Sequence, residues 1–360
     1  MLSSISSSDQ AIAERPIPAL AWTRAGVAAL VTFAVLLVGW EWYWRDFGST
    51  PSYRNSDGLW AIQRRIVDRH EGEETVIIGS SRVLFDIQLP VWEEVAGEKP
   101  IQLALEGTSP IIFLEDLAED PDFTGTLIVG VTPDLYFTDF GVRRLGALDY
   151  YRNETPSKWF GQRVSMAVEP WLAFYHEDYS LMVALRRLPW PDRGGARNYR
   201  DVRRLETMDV DRNTRLWRKL EEDAAYRDYA RNVWLQIGPP PGIPAEELVK
   251  MRDAGIEKTL AATRQAVEKL EARDVEVVFV RMPSSGAFYA AEQQRMPREI
   301  SWDRLIAETG AVGIHFEDHA ELQGLDTPEW SHLSGADADR ATRSLHGIIQ
   351  DQLARRESRE

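Results

Sequence analysis

The chain of 360 residues has no cysteine, which excludes disulfide bonds and thiolate chemistry. It also lacks positive charge overall, because 57 Asp and Glu outnumber 42 Lys and Arg and leave a formal net charge of -15. Affinity for a nucleic-acid backbone comes mostly from Lys and Arg, so we expect no nucleic-acid partner. Apolar residues are not lacking: they make up 44% of the chain, the ordinary share for a protein with a hydrophobic core.

Charged residues are absent from residues 25–40, near the N-terminus. A helix of this length spans roughly 24 Å, and residues 19–22 extend it towards the thickness of a bilayer. Aromatic residues, which collect at membrane interfaces, flank the run at Trp22 and at Trp40, Trp42, Tyr43 and Trp44. The alternative, a buried helix of a soluble domain, does not explain these flanks. The sequence therefore predicts a transmembrane helix over residues 21–44.

The flanks of this helix also predict its orientation. No small-residue cleavage site follows the apolar run, so we expect an anchor that is retained. Arg15 and Arg24 precede the run and Arg45 follows it, and the positive-inside rule then places the N-terminus in the cytoplasm. Residues 1–20 have no packing pattern and are expected to form a disordered cytoplasmic tail. The rest of the chain would lie outside the cytoplasm, in a bacterial periplasm.

Short apolar runs that end in glycine, proline or small polar residues recur along the rest of the chain. They predict strands at residues 75–78, 101–107, 126–131, 275–280 and 313–316, with helical patterns between them. Alternation of strands and helices at this density is typical of a parallel sheet with right-handed crossovers. We therefore predict an α/β domain in two halves, residues 50–140 and 243–355.

Residues 141–242 interrupt this alternation. They contain no clear strand and much Arg, Trp and Tyr, and segments such as residues 159–188 and 211–235 have helical patterns. We therefore predict a helical insertion closed by a stiff Pro-rich connector at residues 238–244. Residues 186–220 are rich in Arg, with Trp190, Tyr199 and Trp217 among them. Since aromatic faces stack on sugars and on planar cations, this segment is a candidate for binding an anionic polysaccharide or lipid head groups. The alternative is a solvated helical face whose arginines pair with carboxylates elsewhere.

Polar residues follow several predicted strands, and strand ends on one edge of a parallel sheet converge in space. These residues are Ser81, Gly107, Thr132, Arg281 and, near the C-terminus, the pair Glu329 and His332. A hydroxyl nucleophile needs a base, and histidine is suited to that role near neutral pH. Glu329, three residues earlier, can reach the second ring nitrogen of His332. Backbone N–H groups at Ser81 and Gly107 would hold the oxyanion of an acyl-transfer intermediate.

Two other interpretations apply to polar residues of the chain, one to the turn at residues 79–81 and one to a group near the C-terminus. Residues 79–81 also fit a Gly-Ser turn in which a serine caps the next helix. His315, Asp318 and His319 are metal-binding residue types, but their spacing matches no specific ligand pattern. We therefore expect no metal and no other cofactor.

Taken together, these motifs resemble the SGNH (GDSL-like) hydrolase superfamily. The resemblance rests on Gly79-Ser80-Ser81 at the first block, Gly107 at the second and Glu329-Trp-Ser-His332 at the last. It covers about residues 75–131 and 275–353 and leaves the insertion unexplained. The tethered topology is similar to the membrane-anchored branch that includes the alginate O-acetylation proteins and the D-alanyl transfer protein of teichoic acids. It implies a flavodoxin-like, three-layer parallel sheet.

The resemblance also implies roles for individual residues. Ser81 would be the nucleophile, His332 the base and Glu329 the residue that orients it. The oxyanion would be held at Ser81, Gly107 and Thr132. Independently of the resemblance, Arg281 and Arg82 are candidates to contact an anionic substrate, and the alternative for Arg281 is an ion pair with a carboxylate at a strand end.

The sequence departs from the family at three places. Thr132-Pro133-Asp134 replaces the Asn of the third block, Glu329 replaces an Asp, and Ser80 replaces the Asp of the first block. Because Pro133 has no N–H, only the Thr132 hydroxyl can substitute for the missing amide.

Two functions are compatible with these expectations. The first is a membrane-tethered, extracytoplasmic serine acyl esterase or O-acyltransferase that acts on a cell-envelope polysaccharide or lipid-linked glycan, with a membrane acyl-donor protein as a further partner. The second is a catalytically inactive SGNH-like domain that binds glycan or scaffolds an envelope assembly.

Overall fold

The computed structural model describes residues 21–69, 74–186, 204–236, 238 and 242–358. Its strands are β1 (Val76–Ile78), β2 (Ile101–Gln102), β3 (Thr126–Gly130), β4 (Glu206–Met208), β5 (Thr214–Leu216), β6 (Glu276–Arg281) and β7 (Val312–His315). Its helices are α1 (Trp22–Asp46), α2 (Asp57–Arg69), α3 (Ser81–Asp86), α4 (Leu89–Ala96), α5 (Ile111–Glu119), α6 (Pro133–Tyr136), α7 (Leu145–Arg152), α8 (Pro156–Val168), α9 (Leu181–Arg186), α10 (Arg218–Glu222), α11 (Ala224–Leu235), α12 (Ala245–Glu271), α13 (Gly286–Arg295), α14 (Trp302–Thr309) and α15 (Gly335–Glu357).

Five strands form one parallel sheet in the order β2-β1-β3-β6-β7. The predicted α/β chain with a parallel sheet is therefore confirmed. The chain first adds β2 on one side of β1 and then returns to add β3 on the other side. The order of the strands reverses between β1 and β3, and open α/β sheets bind their ligands outside the carboxyl ends of the strands at such a point.

Helices cover both faces of this sheet. Alternate residues of a strand point to opposite faces, so Val76 and Ile78 join one buried cluster and Ile77 joins the other. The first cluster is completed by α2, α5, α12 and α14, and the second by α3, α4 and α15. Because both faces of the sheet are buried, the strands consist mostly of apolar residues such as Val, Ile and Leu.

Helix α1 is long and apolar enough to span a membrane, and its apolar window is exposed along its whole length. It extends two residues beyond the predicted end of the anchor, to Asp46. The N-terminal tail predicted to be disordered lies outside the described residues.

The insertion contains an antiparallel hairpin, β4–β5, that the sequence did not indicate. The prediction of helix over residues 211–216 is therefore wrong. Each strand has only three residues, too few for an alternating pattern to stand out. Side chains in the connection fix the turn: Asp211 accepts a hydrogen bond from the Asn213 N–H at 3.0 Å, and Arg212 has a φ of +66°. The helices predicted on either side of the hairpin are present as α8, α10 and α11.

The Arg-rich segment is only partly described, because residues 187–203 lie outside the described ranges. In the described part of this segment, Arg204 is buried and donates to Ser49 Oγ at 2.7 Å. Arg212 is also buried, and its guanidinium donates to the carbonyl oxygens of Gln102 and Ala104 at 3.0 and 2.6 Å. Arg212 thus holds the insertion against β2 and Arg204 holds it against the segment that follows α1, which neither sequence interpretation anticipated. Ion pairs with carboxylates, as the solvated-face interpretation expects, are formed by Arg215 with Asp339, Arg218 with Glu222 and Lys219 with Asp223.

Candidate active site

The turn after β1 brings two strands unusually close together. Gly79 has a φ of +153°, and a Cβ there would lie 2.4 Å from Val83 Cγ2 and 3.0 Å from Gly130 Cα. No side chain fits in that space, so this turn requires glycine. The backbone of β1 can therefore approach that of β3 at the point where the strand order reverses.

The two serines after Gly79 have different surroundings. Ser80 is buried, and its Oγ lies 2.6 Å from Thr132 Oγ1, across the boundary between β1 and β3. Although Ser80 occupies the N-cap position of α3, its side chain makes no capping hydrogen bond. The simpler interpretation of a capping serine therefore does not describe Ser80. Ser81 is the first residue of α3 and is half-buried.

The ring of His332 lies against the helix that Ser81 begins. It stacks on the ring of Phe85, with centroids 4.3 Å apart and planes 29° from parallel. Residues four apart share one face of a helix, so Ser81 lies one turn before Phe85 on the face next to the imidazole. His332 Nε2 is buried and has no hydrogen-bond partner among the described residues, Ser81 included.

Glu329 holds the other side of the imidazole. Its Oε1 accepts from His332 Nδ1 at 2.8 Å and from the His332 backbone N–H at 2.6 Å, and Trp234 Nε1 donates to Oε2. Trp330, between the pair, has a φ of +78°, which folds the loop back on itself. Because Nδ1 faces a carboxylate, it carries the ring proton and leaves Nε2 as the acceptor. This arrangement fixes the orientation of the imidazole and leaves Nε2 able to accept a proton.

The charge of Glu329 is preserved despite its burial. Desolvation alone would raise the pKa of this carboxyl, but His332 and the hydrogen bonds from His332 and Trp234 favour the charged form more strongly. The pKa of Glu329 is therefore lowered overall, and the group is an anion near neutral pH.

Asp86 ties α3 to the loop that carries His332. It is fully buried, and its Oδ1 accepts from the Leu333 N–H at 2.9 Å. Burial raises the pKa of Asp86 well above its usual value, and the Leu333 N–H and the charge of Arg82 only partly oppose this effect. Sequence reasoning missed this residue. The available signal was a single acid within an apolar stretch, Val83-Leu-Phe-Asp86-Ile87.

The two arginines predicted to contact substrate share one buried carboxylate. Arg82 donates to Glu292 Oε1 and Oε2, both at 3.1 Å, and Arg281 donates to Oε2 at 2.6 Å. All three side chains are 2% exposed or less. Ser284 Oγ adds a hydrogen bond to the same Oε2 at 3.1 Å. Both guanidiniums are thus held by Glu292 on α13, and a contact with substrate stays a prediction.

The remaining predicted residues follow β2 and β3. The Leu105 N–H donates to the Gly79 carbonyl at 3.1 Å, so pairing with β1 continues to two residues before Gly107. Gly107 has a φ of +63° and open space beside its Cα. The Thr132 hydroxyl is bonded to Ser80. The Asp134 carboxylate pairs with Arg295, although burial raises its pKa overall.

No described group of three or more His, Asp or Glu side chains is arranged to hold a metal ion. His315 is buried between Trp302 and Phe316, and desolvation lowers its pKa to about 4. Asp318, which the sequence placed near it, instead pairs with Arg298 at 2.6 Å.

Fold and site together define an α/β protein with a parallel sheet, a buried acid–histidine pair at its carboxyl edge and one N-terminal helix able to span a membrane. No family model matches the chain, and no curated protein matches its sequence.

Proposed function

We propose that this chain is a membrane-tethered serine acyl esterase or O-acyltransferase of the SGNH type that acts on a cell-envelope glycan outside the cytoplasm. If only the five strands of this sheet are counted along the chain, they lie side by side in the order 2-1-3-4-5. This is the order of flavodoxin-like doubly wound sheets, and it supports an SGNH-like assignment. Ser80 and Thr132 mark the point where the strand order reverses, and Ser81 follows directly.

One observation carries the proposal. A buried imidazole is held by a charged carboxylate on Nδ1, while its Nε2 has no described partner and its ring lies on the helix that Ser81 begins. A buried polar atom without a partner is costly and requires a reason. A nitrogen kept free to accept a proton from Ser81 supplies that reason.

The reaction follows from this arrangement. Ser81 Oγ would attack the acyl carbon while its proton moves to His332 Nε2. The carbonyl oxygen then becomes an oxyanion, for which Ser81 N–H, Gly107 N–H and the Thr132 hydroxyl are the proposed donors. Collapse of this intermediate breaks the ester C–O bond, and His332 returns the proton to the leaving alcohol. Water or a glycan hydroxyl next attacks the acyl-serine, by the same proton path, and frees Ser81.

Catalytic hydrogen bonds are often long or misaligned before substrate binds. The reaction therefore requires the Ser81 hydroxyl to turn towards Nε2 in the substrate complex.

Helix α11 links the proposed site to the membrane anchor. Near its start, the ring of Tyr226 lies 6.1 Å from that of Phe47, which follows α1. Towards its end, Trp234 donates to Glu329. Trp234 lies eight positions after Tyr226, which corresponds to roughly 12 Å along the axis of α11. This short distance suits a substrate or acyl donor that is itself held in the membrane, such as a lipid-linked glycan.

A second function also has an observation in its favour. The Thr132 hydroxyl, the only replacement for the family's Asn, is already bonded to Ser80. An SGNH-like domain that binds glycan or scaffolds an envelope assembly without turnover would tolerate this arrangement.

Labelling with a fluorophosphonate separates the two functions. The full chain in detergent should label, Ser81→Ala should not, and Ser80→Ala should label nearly as well as the wild type. Ser80→Ala is the matched control because it removes the neighbouring hydroxyl from the same turn. Absence of labelling in the wild type would favour the inactive domain, whereas labelling that survives in Ser81→Ala would show that another residue is the nucleophile and would contradict the role of Ser81.

A further inference from the structure

The end of α1 is fixed rigidly to the insertion. The carboxylate of Glu41 accepts hydrogen bonds from the backbone N–H groups of Ala173 and Phe174, at 3.0 and 3.1 Å. Arg45 donates to the Trp171 carbonyl at 3.1 Å. These contacts hold residues 171–174 at the level where the uncharged run of α1 ends.

Aromatic stacking adds to this attachment. Trp44 is only 8% exposed and stacks on Tyr179, with ring centroids 3.9 Å apart. A mostly apolar groove joins α1 to the start of α9; its lining includes Trp40, Leu181 and Val183, together with the polar side chains of Arg54, His176 and Glu177. Because Trp40 is the last residue of the uncharged run, the start of α9 lies at the depth where α1 would leave the bilayer.

Large apolar side chains are exposed around this attachment. Trp171 is 74% exposed, Leu181 62% and Met182 61%. On α8, Phe160 is 64% exposed and Val164 47%; they lie four residues apart on one helical face, and α8 ends three residues before Trp171. Exposed apolar side chains of this size that form a patch mark an interaction site on a folded protein.

We propose that this surface, formed by α8, Trp171 and the start of α9, lies in the interfacial region of the bilayer that holds α1. It is continuous with a helix that carries its own membrane-spanning length, so a bilayer around α1 meets the surface without any further binding step. Its composition also fits: aromatic residues with a polar edge favour the interface, and the Arg163 guanidinium lies 4.3 Å from the Trp159 ring centroid. The domain would then lie on the membrane in a fixed orientation.

The absence of cysteine permits a direct test with single labels. The full chain carrying Met182→Cys or Phe160→Cys, each with an environment-sensitive fluorophore, is placed in phosphatidylcholine nanodiscs. The matched control is Met251→Cys on α12, where the methionine is 57% exposed, nearly as much as Met182. Leu30→Cys, within α1, reports whether the anchor has inserted. Nitroxide lipids are included as quenchers, with the spin label near the head group for the Met182, Phe160 and Met251 labels. For the Leu30 label the nitroxide is deep in the acyl chain, because Leu30 lies about 15 Å along α1 from Trp40.

The Met182 and Phe160 labels should show a blue shift on reconstitution and a large loss of emission to nitroxide lipid, while the Met251 label should change little. If the Leu30 label is quenched but the Met182 and Phe160 labels behave like the Met251 label, the surface faces water and the proposal fails. A protein partner would then be the alternative occupant. If the Leu30 label is not quenched either, α1 is not inserted and the proposal fails with it. None of these outcomes depends on acyl-transfer chemistry.

Discussion

Two buried clusters at the carboxyl edge of the sheet are each built around one glutamate, yet only one of them can transfer a proton. The Glu292 cluster consists of Glu292, Arg82 and Arg281, and the Glu329 cluster consists of Glu329, His332 and Trp234. Guanidinium groups stay protonated in proteins, so the Glu292 cluster can only hold its parts together. An imidazole can accept a proton and release it again, and the Nε2 of His332 in the Glu329 cluster has no hydrogen-bond partner among the described residues.

This comparison shows why burial alone does not identify a functional residue. The sequence predicts a contact with substrate for Arg82 and Arg281, and Arg281 follows a strand that ends at the expected edge. Both nevertheless form ion pairs with the buried carboxylate of Glu292. Removal of one partner would therefore lower the free energy of unfolding rather than change a reaction step directly. The expected effects of substitution therefore separate the two clusters.

The largest effect should come from the reacting pair. Ser81→Ala or His332→Ala should each reduce acyl-ester turnover by roughly 1,000-fold or more, and the double variant should lose little beyond that. Residues that act as one unit are strongly non-additive. The measurement is kcat/KM on an acyl ester for the four proteins. Effects that multiply in the double variant would show that the two residues do not work together.

The Glu292 cluster should give the largest loss of stability. Glu292→Ala leaves two buried guanidiniums without their carboxylate, and removal of one partner from a buried ion pair costs about 3–5 kcal/mol. The free energy of unfolding can be measured by denaturant titration. Glu246→Ala is the control, because Glu246 pairs with Lys250 at the surface and its side chain is 82% exposed. Equal stability of the two variants would remove the distinction between the clusters.

A smaller loss of activity is expected from Glu329→Gln. The amide oxygen can replace Oε1 and accept both N–H groups of His332, which preserves the tautomer, but the negative charge is lost. We expect a decrease in kcat of roughly 100-fold, the low end of what a positioned general base contributes and less than for Ser81→Ala. The acid limb of the pH–rate profile should move to lower pH, because the imidazolium form loses a stabilising charge. An unchanged profile would mean that Glu329 is not ionised beside His332.

The smallest effect concerns Asp86, a carboxyl whose pKa is raised well above its usual value by burial. Asp86→Asn preserves the acceptor for the Leu333 N–H and should change stability by less than about 1 kcal/mol at pH 5. The native state binds the proton of Asp86 more tightly than the unfolded state does. The difference in unfolding free energy between the wild type and Asp86→Asn should therefore favour the wild type most below pH 3.9, which is about the pKa of Asp in the unfolded chain. It should then fall as pH rises towards the native pKa. A constant difference from pH 4 to pH 8 would contradict a raised pKa.

Asp86→Leu separates the hydrogen bond from the charge. It removes the acceptor for the buried Leu333 N–H and should cost about 1–3 kcal/mol of unfolding free energy. If Asp86→Leu were as stable as Asp86→Asn, the contact with Leu333 would not stabilise the loop that carries His332.

The sequence was most informative where structure is encoded locally. Five strands were visible because parallel strands buried on both faces are short runs of Val, Ile and Leu that end in turn residues. Gly79 was identifiable because its turn admits no side chain. The Glu329–His332 pair was also accessible, since both residues lie in one short loop.

Long-range contacts were not accessible in the same way. Trp234 donates to Glu329 across 95 positions of sequence, and Asp86 meets Leu333 across 247. A single sequence carries no local sign of such pairs, because they depend on how the sheet brings the insertion and the last loop together. The hairpin β4–β5 was missed for a related reason: two three-residue strands are stabilised by buried Arg204 and Arg212 rather than by their own pattern.

The most direct test of the central claim is the position of a covalent adduct. Wild-type protein is treated with a fluorophosphonate, digested, and the modified peptide is sequenced by tandem mass spectrometry. The account predicts that the phosphonate is attached to Ser81 and not to Ser80, whose hydroxyl is bonded to Thr132. The adduct should also be lost in His332→Ala, because Ser81 then has no base. An adduct on Ser80, or one that forms equally well without His332, would contradict the account.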